Sequence, residues 1–70
     1  MRYAIVIENA GEGFSAYVPD LPGCVAVGHS QAETGQAIRE AIALHLDGLR
    51  EDGLPVPPPT SHVDYVEVAA

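Results

Sequence analysis

The opening run of the chain alternates. From Arg2 to Glu8, Tyr3, Ile5 and Ile7 fall on one face and Arg2, Ala4, Val6 and Glu8 on the other, the period-two pattern of a strand. The second face is mixed in character, which predicts a central, largely covered strand. Asn9-Ala10-Gly11-Glu12-Gly13 supplies glycines for left-handed turn positions and predicts an antiparallel hairpin. Phe14, Ala16 and Val18 then alternate with Ser15 and Tyr17 as a second strand. Pro19 ends it, since proline has no N–H for a ladder. Pro22-Gly23 suits a type II turn, with proline setting φ and glycine accepting a positive φ. Cys24 to Gly28 resumes an apolar run and predicts a third strand that completes a meander.

The period changes after Gly28. Ser30 with Glu33 three residues on is the pattern of a helix N-terminal capping box. Ile38, Ile42, His45 and Leu49, widened by Ala41 and Leu46, form one apolar stripe of a helix over Ser30–Asp52. Gly53 is placed to stop it. Leu54-Pro55-Val56-Pro57-Pro58-Pro59 must be extended, because consecutive prolines allow neither helix nor central strand. It predicts a stiff return strap. His62 to Val68 alternates again, with Val63 and Tyr65 on one face and Val66 and Val68 on the other. The expected order is β-β-β-α-β: an α+β domain spanning residues 1–70, one mixed sheet with one helix packed on it. A right-handed crossover would lay the last strand parallel beside the first.

Composition narrows the function. Seventy residues allow one small domain with a modest core, and such chains often gain stability by oligomerising. The apolar share, 47%, is that of a globular protein and favours a homo-oligomer. Ten acids oppose three arginines, Arg2, Arg39 and Arg50, for a formal charge of −7. That balance repels polyanions, so no direct nucleic-acid binding is expected. It suits a basic protein partner instead, because complementary charge speeds encounter. The single cysteine, the absence of a secretory leader pattern and the lack of an apolar run of spanning length predict a cytoplasmic protein with no membrane contact.

A two-metal nuclease site needs several converging carboxylates, and Glu8, Glu40 and Asp64 are the candidates near sheet and helix. The centre of the first strand, Ala4-Ile5-Val6, carries none, so a solvated acidic surface is the simpler reading. Cys24 lacks the electropositive setting that activates a thiolate and reads as a small buried apolar residue. His29, His45 and His62 have no metal-ligand spacing. His45 on the apolar stripe reads as a hydrogen-bonded, partly buried side chain, with a subunit-interface role as the alternative. No cofactor or metal is expected.

The string Phe14-Ser15-Ala16-Tyr17-Val18-Pro19-Asp20-Leu21-Pro22-Gly23-Cys24 resembles the HicB-like antitoxin family. So do Gly28, Ser30 and Glu33, then Glu40-Ala41-Ile42 and His45-Leu46, then Gly53, Pro55 and Pro57. The resemblance covers nearly the whole chain. It implies a partial RNase H-like β-β-β-α-β domain without nuclease activity. It further implies an antitoxin that neutralises HicA, a small basic toxin that cleaves messenger RNA, by direct contact. Many relatives continue into a DNA-binding module; this chain ends at the last expected strand, so operator binding is not carried over.

The resulting expectation is a non-enzymatic binding protein. Its expected contacts are Asp20, Leu21, Pro22 and Gly23 in an exposed turn, together with the helix-end acids Glu51 and Asp52. The alternatives are a residual metal-dependent nuclease or an oligomerisation module without a toxin.

Overall fold

A computed structural model describes residues 1–69. Strands β1 (Val6–Ala10), β2 (Gly13–Tyr17) and β3 (Val25–Gly28) form one antiparallel sheet in the order β1-β2-β3, followed by helix α1 (Gln31–Glu51). Val6 lies opposite Tyr17 and Ala10 opposite Gly13, so the hairpin closes through Gly11-Glu12. Gly11 has φ 60, as the first central residue of a type II′ turn requires. In the next pair Ala16 faces Ala26 and Tyr17 faces Val25. The predicted meander therefore stands, with β1 pairing four residues later than the alternation suggests.

The delay has a local cause. Beyond Val18, whose N–H still donates to the Cys24 carbonyl at 3.2 Å, the chain leaves the ladder and makes two consecutive turns. Leu21 N–H donates to the Val18 carbonyl at 3.1 Å, and Cys24 N–H donates to the Leu21 carbonyl at 3.1 Å. The Val18 carbonyl is thereby committed, and Pro19 has no N–H to offer. Arg2 to Ile5 consequently has no ladder partner among the described residues. Gly23, at φ 83, occupies the position of a type II turn that demands a positive φ.

α1 starts as its sequence dictates. Ser30 is extended, and its hydroxyl accepts the Glu33 N–H at 3.0 Å. Thr34, fully buried, donates its hydroxyl to the Ser30 carbonyl at 2.7 Å. The first turn presses against the end of β3: a Cβ on Gly28 would lie 2.5 Å from Thr34 Oγ1 and 2.9 Å from its amide nitrogen. At the far end Gly53 N–H donates to the Arg50 carbonyl and Leu54 N–H to the Leu49 carbonyl, with Gly53 at φ 67. This is a Schellman closure. Between the caps, Ile38 and Leu46 are buried, with Ala41, Ile42 and Leu49 packed beside them. They meet Ala16, Val18, Leu21 and Cys24 from the sheet side, and Tyr3, Ile5, Ile7, Ala26 and Val56 complete the core.

The strap forms neither helix nor strand, and two contacts hold it. The Tyr3 hydroxyl donates to the Pro57 carbonyl, and Asp20 grips Thr60 and Ser61. The expected last strand is corrected: His62 to Val68 takes no ladder partner and is exposed throughout. Alternating side chains make a strand only where an edge supplies hydrogen bonds, and no described edge reaches this arm. It follows that β1 is an edge strand rather than the central one predicted.

Candidate partner-binding surface

The Val18–Cys24 double turn is built around Leu21. Its N–H and carbonyl each close one of the two turns, and that geometry points its side chain inward, where it is 0% exposed. Leu21 is therefore a core residue, and its place among the exposed contact positions is corrected. Alternation beyond a proline gives no orientation, so the sequence carried no signal for it. Pro22 and Gly23 do stand exposed at the tip.

Asp20 has a structural task. Its carboxylate accepts the N–H groups of Thr60 and Ser61, both at 3.0 Å, and their hydroxyls at 3.1 and 2.8 Å. The backbone and side-chain hydrogen bonds from Ser61 are the main reason its pKa lies below the ordinary value of 3.8; partial desolvation opposes them. The partners are forty residues away along the chain, so the sequence offered no trace of this clasp.

Glu51 ends α1 and Asp52 is its C-cap, and both are exposed. Neither takes an ion pair among the described residues; Asp47 pairs with Arg50 at 3.6 Å in a solvated bridge, a type of contact that contributes little. The helix end thus presents free carboxylates at the negative end of the helix dipole, a negative spot by both charge and dipole. Cys24 is buried and reduced, and burial pushes its thiol pKa up. That setting opposes nucleophilic use. His45 is half-buried but makes no side-chain hydrogen bond among the described residues, which corrects the hydrogen-bonded reading. Glu8, Glu40 and Asp64 are all exposed, and no group of three His, Cys, Asp or Glu side chains is gathered for a metal ion among the described residues. No described helix is long and apolar enough to cross a membrane.

A second surface went unnoticed in the sequence. The face of the sheet turned away from α1 carries the cross-strand row Val6, Tyr17 and Val25, with Val27 beside it. Val25 and Val27 are 65% and 74% exposed. With one helix among the described residues to cover the sheet, the opposite face is left to water or to a partner. Its alternation was legible; that nothing would cover it was not.

A model of the HicB-like antitoxin of bacterial toxin–antitoxin systems matches residues 3–69. The "uncharacterized 14.9 kDa protein in rep-hol intergenic region" of Haemophilus phage HP1 is 35% identical over 66 residues, covering 94% of this chain and 50% of that protein. This chain thus spans half the length of the phage relative. A UPF0150 protein of Helicobacter pylori strain J99 is 47% identical over 49 residues, covering 70% of this chain and 68% of that protein. Among solved structures, a chain of a "HicA3 and HicB3 toxin-antitoxin complex" superposes with a TM-score of 0.74 and 38% identity, over 84% of this chain and 70% of that one.

Proposed function

The chain belongs to the HicB-like antitoxin family, and from that premise we propose that it neutralises a small basic toxin of the HicA type by direct contact, without catalysing a reaction itself. The observation that carries this reading is the structural likeness, at 38% identity, to a chain of a toxin–antitoxin complex. Charge supports it: at −7 the chain attracts a basic protein and repels its RNA substrate. In this reading the fold is the retained part of an RNase H-like domain, and the protein acts in the cytoplasm as a homo-oligomer. Of the expected contacts, Pro22, Gly23, Glu51 and Asp52 are free to meet the toxin, and the exposed Tyr17, Val25 and Val27 offer an apolar surface for its docking.

The test is co-production with a small basic toxin of the HicA type. Growth arrest by that protein alone, relieved by this chain, is the expected result, with a complex that weakens as salt screens the charges. Glu51→Lys with Asp52→Lys weakens the complex further. Arrest that persists in the presence of this chain refutes the proposal. Incubation of the pure chain with RNA and RNA–DNA hybrid in Mg²⁺ or Mn²⁺ is expected to leave both intact; cleavage abolished by Asp64→Asn would overturn the non-enzymatic reading.

A further inference from the structure

Two stretches of this chain have strand-like sequence and no main-chain partner among the described residues. One is Arg2 to Ile5, leading into the open edge of β1, with Tyr3 and Ile5 already seated on the core. The other is the arm from His62 to Val68. Its Val63, Tyr65, Val66 and Val68 are 59%, 91%, 82% and 79% exposed. Branched and aromatic side chains are what a sheet edge selects in an added strand.

The two stretches stand apart within one chain. A crevice of about 360 Å³ separates Arg2, Tyr3 and Ala4 on one side from Ser61, His62 and Val63 on the other. The clasps at Pro57, Thr60 and Ser61 fix the root of the arm at this crevice. Beyond the root, no hydrogen bond joins residues 62–69 to the body. The prolines of the strap stiffen the approach and resist folding the arm back.

We propose that the arm of one protomer adds as a strand to the β1 edge of a second copy and receives that copy's arm in return, giving a two-fold, arm-exchanged dimer. Donor and acceptor both lie in this chain, so one symmetric exchange satisfies both and closes the assembly. It supplies each sheet with the missing fourth strand and lays one apolar row of the arm, either Val63 with Tyr65 or Val66 with Val68, on the core face of the partner's sheet. Charge selects the same occupant. The arm brings Asp64 and Glu67, and the receiving edge offers Arg2, which has no ion pair among the described residues. A basic protein is drawn instead to the acids at the helix end. This deepens the self-association in the reading above, and it stands or falls without any toxin present.

The test is the mass of the full chain in solution by light scattering, near physiological salt, where screening over about 8 Å limits repulsion between acidic copies. The expected value is twice the 7.3 kDa of one chain. Tyr65→Pro with Val66→Pro removes two ladder donors from the arm. The measured mass is expected to halve with the helical circular dichroism unchanged, because the arm gives nothing to its own core. Separately, Ala4→Cys chains mixed with Val66→Cys chains are expected to cross-link between chains. A monomeric wild type overturns the proposal, as does a dimer that survives the two prolines. So does an arm whose amides become protected from exchange only with a basic partner bound, or a disulfide that forms only within a chain carrying both cysteines.

Discussion

Replacing Leu21 with alanine separates a core residue from a binding residue. The side chain is 0% exposed and sits under two consecutive turns. Leu21→Ala removes three buried carbon groups, worth about 0.8 kcal/mol each, or about 2.4 kcal/mol in transfer alone. A cavity cost adds to this, and Leu→Ala substitutions in cores reach about 5 kcal/mol where the surroundings cannot collapse. Here Pro19 and Pro22 flank the site and the turn hydrogen bonds hold its backbone, so collapse is limited and the loss falls at about 3–4 kcal/mol. A 70-residue domain has a total of only about 3.5–10 kcal/mol. The variant is therefore expected to be partly unfolded or to melt more than about 10 °C lower. Urea unfolding followed by circular dichroism at fixed protein concentration measures it, the concentration being held because self-association stabilises by mass action. A loss under about 0.5 kcal/mol would place Leu21 at the surface and refute the account of the double turn.

Asp20→Asn keeps an acceptor but loses the charge that four donors converge on. The folded-state pKa of Asp20 is depressed, so its contribution is present above the unfolded value near 3.8 and is lost as pH falls through the lower folded value. The Thr60 and Ser61 amide resonances of the wild type are expected to move in that acid range, and those of the variant to show no such step. Gly28→Ala forces a methyl against Thr34 and is expected to cost about 1–3 kcal/mol in denaturant unfolding; a neutral effect would mean the helix start is not pressed on β3. Ser30→Ala removes the acceptor of the Glu33 N–H and is expected to cost about 1 kcal/mol by the same measurement.

Local rules were enough for much of this molecule. The three-strand meander, the Ser30 cap, the Gly53 stop, the Pro22-Gly23 turn and the apolar stripe of α1 each depend on residues within a few positions of one another, so chain chemistry alone determined them. The family string from Phe14 to Cys24 was legible for the same reason: it encodes a strand and two turns in one run. Tertiary structure decided the rest. It turned Leu21 inward, because the side-chain direction after a proline depends on which carbonyls the turn captures. It gave Asp20 to the strap rather than to a partner, through contacts forty residues apart. It left His62 to Val68 unpaired and β1 at an edge, because alternation states that a segment suits a sheet but only an available edge makes it a strand.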